Sequence, residues 1–263
     1  VLKALAAQGY DVADVPSDGE ALITQLLAGP TNDLVRRRGK RSQAVLSLEA
    51  YREKFAELPE DVRSSMTERW GDPETDPHVA EGAFQLAIHR FGKVVVGVQP
   101  ARGYNIDPKA TYHDPDLVPP HGYFAFYMWL TQEFDSHAVI HLGKHSNLEW
   151  LPGKALALSS SCFPEAAFAP VPHLYPFIVN DPGEGTQAKR RTSAVIIDHL
   201  TPPLARAETY GELRDLEALV DEYFEASQTD PRRLPILSRD ILELCASTGL
   251  DQDCGIGAGD DEA

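Results

Sequence analysis

Hydrophobic and polar positions follow two regimes along this chain. Up to residue 92 the apolar residues read mainly as helices: Leu2 to Gln8 closes on Gly9 as a C′ residue, and Ser17-Asp18-Gly19-Glu20 opens a helix running to about Leu27. Leu48 to Leu58 and Asp61 to Trp70 are two more, the second started by Pro59 and stopped by Gly71-Asp72-Pro73. Only Tyr10 to Val15 alternates like a strand in this part. From Lys93 the runs become short and solidly apolar. Val94 to Val98, Ala138 to Ile140 and His173 to Val179 suit strands covered on both faces, each opening into a polar loop. The aromatic stretch Tyr123 to Phe134 predicts a buried helix between the first two strands, and Thr186 to His199 a helix after the third. Leu213, Leu216, Leu219, Val220, Tyr223 and Phe224 mark an amphipathic helix, and Pro231 to Leu250 a last one.

The expected fold is therefore α/β: a mainly parallel sheet with crossover helices, plus helices at the C-terminal end. Residues 1–44 read as the tail of a preceding α/β subdomain, 45–92 as a helical connector, 93–250 as the α/β core with its C-terminal helices, and 251–263 as a flexible acidic tail. The missing initial Met and the Gly/Asp-rich end suggest a piece of a longer polypeptide.

Parallel strands collect ligand-binding loops at their C-terminal edge, which directs attention to HAVIHLGKHSNLEWLPGK, residues 137–154. His141, Lys144, His145 and Glu149 crowd its loop. The i, i+4 spacing of the two histidines would suit zinc on a helix, but Gly143 and the preceding apolar run oppose a helix, and no Glu follows His141. Ser146-Asn147-Leu148-Glu149 also fits a capping box, in which the glutamate only satisfies a backbone N–H. If the three strands share one sheet, Arg102, His121, His141, His145, Glu149, Asn180 and Glu184 meet at one rim. Loop 72–78, GDPETDPH from Gly71, lacks the spacing of a calcium loop, and 180–185 lacks that of a phosphate cradle.

Composition narrows the functions. A formal charge of −16, from 40 acidic against 24 basic residues, opposes nucleic acid and anionic membranes as partners. The basic cluster Arg36 to Arg41 and the run Lys189, Arg190 and Arg191 are each most simply a solvated face. Three cysteines without CxxC pairing point to a reducing compartment, and the absence of a long apolar span or a signal-peptide pattern points to the cytoplasm.

The motifs VGVQPARGY, PPHGYFAFYMWL, IHLGKHSNLEWLPGK, CFPE, PFIVNDPGEGTQAKRRTSAVIIDHLTPP and LRDLEALVDEY, in this order over roughly residues 51–250, resemble the large subunit of class I metal chelatases. GKHxNLEW, ARGY and NDPGEGTQAKRR resemble the cobalt branch more than the magnesium branch. One departure is Ser146, where the family usually has glycine. The resemblance implies an ATP-dependent, ligase-type chelatase subunit that inserts Co²⁺ into a corrinoid precursor, hydrogenobyrinic acid a,c-diamide, in aerobic cobalamin biosynthesis. A magnesium chelatase acting on protoporphyrin with Mg²⁺ is the alternative. ATP/Mg²⁺ would sit on separate AAA+ and von Willebrand-type subunits, in keeping with the lack of a P-loop here.

Inserting a divalent metal requires the ion to shed water and the ring to lose two protons, so neutral imidazoles and carboxylates are suitable groups. Glu149, His145 and His141 are the candidate bases and transient metal ligands. Arg102, His121, Lys144, Asn180, Glu184, Lys189 and Arg190 are the candidate substrate contacts, the cations pairing with carboxylates at the macrocycle edge. A metallohydrolase and a docking module without chemistry are the competing classes.

Overall fold

The computed structural model describes residues 1–104, 114–143, 146–176, 182–198 and 211–250. The chain divides into two compact units, Val1–His199 and Leu200–Ala263, so the division falls inside the stretch expected to be one core.

The N-terminal unit opens with α1 (Leu2–Ala7) and α2 (Gly19–Ala28). Asp18 caps α2 by accepting the Ala21 N–H at 2.8 Å, a local choice legible in the sequence. Between them residues 10–15 form no strand: Asp14 is left-handed at φ 52°, which interrupts the extended alternation. β1 (Val45–Ser47), β2 (Val79–Ala80) and β3 (Ala83–Gln85) form a small antiparallel sheet in the order β1-β3-β2, so 45–92 is not purely helical. α3 (Leu48–Ala56) and α4 (Glu60–Trp70) lie where expected, and Gly71 at φ 77° ends the latter.

The first strand of the expected parallel sheet is a correction. β5 (Val94–Gly97) pairs antiparallel with β4 (Ile88–Phe91) as a separate two-stranded sheet, with Phe91 opposite Val94. Gly92, at φ 67°, takes the first central position of the two-residue turn, which suits glycine and returns the chain at once. The parallel sheet is β6 (Val139–Ile140), β7 (His173–Pro176) and β8 (Val195–Ile197), with Val139 opposite His173 and Tyr175 opposite Ile196. Its third strand is the second correction. The helix expected over 186–199 is α7 (Pro182–Arg191) and stops before left-handed Ser193; the β-branched Val195-Ile196-Ile197 then pairs with β7. β7, α7 and β8 thus make a parallel crossover.

All eight residues of α5 (His121–Met128) are buried, as a helix apolar on every side requires. Trp129–Glu133 continue it as a π-turn, and the short α6 (Phe163–Ala167) packs nearby. Tyr123 and Phe124 of α5 join Tyr51, Phe84, Leu148, Leu151 and Phe163 in one core, which ties the 146–151 turn to the helix. In the C-terminal unit α8 (Glu212–Thr229) and α9 (Leu234–Thr248) are joined by a 3-10 turn at Pro231–Arg233, and Gly249 at φ 77° closes the second. No helix among the described residues is long and apolar enough to cross a membrane.

Candidate functional site

Although β5 lies outside the parallel sheet, its loop still reaches the turn after β6. The Gln99 side chain accepts the Asn147 N–H at 3.2 Å, and Asn147 Nδ2 donates to the Pro100 carbonyl at 3.1 Å. Arg102 Nη1 donates to the Trp150 carbonyl at 2.7 Å. The two loops are joined by polar side chains where a shared ladder was expected.

From the other side α7 supplies Arg191, whose guanidinium donates to the carbonyls of Glu149 (2.5 Å), Leu151 (2.8 Å) and Lys154 (3.0 Å). Five donors in a rigid fork suit Arg to hold several carbonyls at once. Helical spacing explains which member of the basic run arrives: Glu184, Gln187 and Arg191 fall on one face, while Lys189 and Arg190 are exposed on another. The structure therefore does not bring Lys189 and Arg190 to the site and places Arg191 there.

Between these elements lies a cavity of about 550 Å³, lined among others by Arg102, Ser146, Trp150, Glu184 and Arg191, a volume within the range of small-molecule pockets. Trp150 stays 41% exposed at this cavity although Leu148, Glu149 and Leu151 beside it are fully buried.

Glu149 is the unusual group. Neither carboxylate oxygen has a hydrogen-bond partner among the described residues. The capping box would need the Ser146 N–H to donate to Glu149, but that N–H donates to Tyr175 Oη at 2.9 Å. The Ser146 hydroxyl instead accepts the Leu148 N–H at 3.2 Å. Burial pushes the Glu149 carboxyl up to about 7; nearby Ser146 draws it down, and the Glu184 carboxylate raises it further. Tyr175 Oη also donates to Glu184 Oε1 at 3.3 Å, and burial, with both glutamates nearby, raises the phenol and keeps it protonated. Glu149 and Glu184 form a carboxyl pair that retains a proton near neutral pH, because two adjacent charges out of water cannot both ionise freely.

Other expected residues lie elsewhere. His121 is fully buried in the core, its Nδ1 on Tyr51 Oη at 2.8 Å and Nε2 on the Gly71 carbonyl at 2.9 Å. Both ring nitrogens are thus committed to the protein, and His121 does not line the cavity. His141 lines a second, larger groove of about 1280 Å³. Its ring lies 5.3 Å from that of Tyr175 and 5.8 Å from that of His173, one aromatic ring away from Glu184. Burial, then His173, pulls His141 down to about 4, leaving a neutral imidazole at physiological pH. Lys144, His145, Asn180 and the tail 251–263 lie outside the described residues. No group of three or more metal-ligating side chains occurs among the described residues.

Ser146, Trp150 and Tyr175 were not among the expected site residues, and Arg191 was expected only as a member of the basic run 189–191. For Arg191 the i, i+3, i+7 spacing from Glu184 was the available signal. For Tyr175, inside an apolar strand, there was none.

The CobN/magnesium chelatase family model matches residues 1–263. The chain is 63% identical over 262 residues to an aerobic cobaltochelatase subunit CobN from Sinorhizobium sp, covering 100% of this chain and 20% of that protein. It is 54% identical to the CobN protein of the same description from Pseudomonas aeruginosa, covering 99% of this chain and 21% of that protein. Against a magnesium-chelatase protein from Chlorobaculum parvum the identity is 34%, over 97% of this chain and 20% of that protein. The solved structure described as the catalytic subunit of cobaltochelatase from Mycobacterium tuberculosis matches with TM-score 0.68 and 44% identity, covering 99% of this chain and 23% of that one. The chain thus spans about a fifth of the length of the curated relatives it matches. With the whole of its length matched by one family model and by those relatives, the chain belongs to the CobN/magnesium chelatase family.

Proposed function

We propose that this segment forms the proton-accepting wall of the tetrapyrrole site in an ATP-dependent cobaltochelatase large subunit. The single observation that carries the reading is the buried Glu149 carboxyl, without a hydrogen-bond partner among the described residues and raised to about 7 beside Glu184, which lines the cavity. A tetrapyrrole releases two protons for each divalent metal it takes up. A carboxyl pair that holds one proton at neutral pH can accept a ring proton at Glu184, the member that lines the cavity, share it with Glu149, and release it through the cavity before the second leaves. The substrate is a corrinoid precursor, hydrogenobyrinic acid a,c-diamide, and the metal is Co²⁺, which is substrate here. The identities of 63% and 54% to cobaltochelatase subunits, against 34% to a magnesium-chelatase protein, support cobalt over Mg²⁺ and protoporphyrin.

Neutral His141 is suited to a passing metal ion, and His145 and Lys144 flank the same loop in sequence. Arg102 lines the cavity and offers cationic charge to substrate carboxylates, with Asn180, four residues past β7 in sequence, as a further contact. Trp150 presents an indole against which a flat conjugated ring can stack. ATP is hydrolysed on AAA+ and von Willebrand-type partner subunits in the cytoplasm.

Metal insertion by the full-length polypeptide with its ATPase partners tests this reading. Glu149→Gln keeps the shape and is expected to retain tetrapyrrole binding while slowing insertion by roughly 10²- to 10⁴-fold, the span of a lost general base. A variant inserting cobalt at the native rate would remove Glu149 from the chemistry.

A further inference from the structure

Loop 72–78 gathers several acids and a histidine, and the function above makes no use of it. One of its acids is deeply buried and shared between two elements of the site's scaffold. Asp76 is 4% exposed. Its Oδ1 accepts the His78 N–H at 2.8 Å and lies 3.0 Å from His78 Nδ1. Its Oδ2 accepts the Gly122 N–H at 2.6 Å, at the start of α5, and the Tyr104 hydroxyl at 2.7 Å. Burial alone would raise this carboxyl, but hydrogen bonds and charge from His78, with the bond from Tyr104, hold it below its ordinary value, so it stays ionised.

The grip on Tyr104 is specific. Tyr104 stands at φ 58°, a left-handed backbone that a side-chain-bearing residue rarely adopts unless its surroundings hold it there. Its ring is packed edge-on against Trp70 at 4.9 Å and stacked on His78 at 5.9 Å. Gly122 lets this assembly close, since a Cβ there would meet His78 Nδ1 at 2.9 Å. Two residues before Tyr104 is Arg102, which holds the Trp150 carbonyl and so the turn carrying Glu149. Asp76, Tyr104, Arg102 and Trp150 thus form a continuous line of contacts from the α5 end to the carboxyl pair.

We propose that Asp76 and Tyr104 are positioning residues: their buried hydrogen bond fixes the left-handed turn that aims Arg102 at the Trp150 carbonyl, and through it keeps Glu149 sealed from water. The proposal rests on the proton-accepting role of Glu149 given above only for its kinetic consequence. The groups facing Glu149 are Ser146 on its own turn, Tyr123 and Tyr127 from α5, Tyr175 from β7, and Glu184 and Arg191 from α7. None belongs to the clamp, so a change in the clamp reaches Glu149 through the turn.

The test uses Tyr104→Phe in the full-length polypeptide, with Tyr51→Phe as its control. The control removes a buried hydroxyl on α3 whose hydrogen bond goes to His121 of α5 rather than to Asp76. Hydrogen exchange at residues 148–151 is expected to quicken at least about tenfold in Tyr104→Phe, while α5 exchanges as in the native protein. The acid limb of the insertion rate is expected to move down by about half a pH unit or more, as water reaches Glu149. Tyr51→Phe should do neither. Exchange at 148–151 that matches the control overturns the proposal, and so does an unmoved acid limb in a background where Glu149→Gln abolishes insertion. If Glu149→Gln leaves insertion intact, the role of Glu149 falls and exchange alone decides the clamp. Should Tyr104→Phe fold poorly, exchange is read on its folded fraction, where a merely stabilising hydroxyl leaves 148–151 no faster than the rest of the unit.

Discussion

Replacing Glu149 by glutamine should change how stability depends on pH, independently of catalysis. Burial raises the Glu149 carboxyl from 4.5 to about 7. The folded state therefore binds the proton more tightly than the unfolded state, so wild-type stability from this group is fully present below about pH 4.5 and is lost as pH rises through about 7. A displacement of that size corresponds to about 3 kcal/mol, an upper figure because Glu184 shares the titration. Glutamine does not titrate and nearly preserves the volume, and its amide can donate to Glu184. Relative to wild type, Glu149→Gln should thus gain roughly 2–3 kcal/mol between about pH 4.5 and 8, most of it before pH 7 and little beyond it. Urea unfolding followed by tryptophan fluorescence at a series of pH values measures the difference. With a slope of about 2 kcal/mol per molar urea the midpoint of the variant should move by about 1 M relative to wild type across the range. A stability difference that stays flat with pH would refute the reasoning, because an ordinary solvated carboxylate is ionised at both ends of most of that window.

Three further outcomes follow from the same geometry. His141, pulled down to about 4, contributes stability that is lost as pH falls from about 6.5 towards 4, so His141→Phe should flatten the acid side of the stability profile in the same unfolding experiment. Arg191→Lys cannot hold three carbonyls with one ammonium and should cost about 2–4 kcal/mol, with thermal unfolding as the readout. Ser146→Gly should cost about 1 kcal/mol through loss of the hydroxyl that accepts the Leu148 N–H, measurable as a lowered urea midpoint.

What the amino-acid sequence determined by itself was local. Asp18 before an apolar helix, Gly71 after one, and an all-apolar helix after Pro120 have causes within a few residues, and the elements lie close to where those causes put them. That Arg102, Glu149 and Glu184 come near one another was legible because polar side chains gathered where apolar runs ended. Tertiary structure decided everything that depends on which run pairs with which. Val94 to Gly97 is apolar enough for a parallel sheet, but the Gly92 turn offered Ile88 to Phe91 first, and a partner two residues away needs almost no loop closure. Val195 to Ile197 became a strand only because β7 was there to pair with it. Above all, the raised carboxyl at Glu149 exists because Leu148, Leu151 and α5 exclude water while Glu184 arrives from another element, and burial by distant residues leaves no mark in a local stretch of sequence.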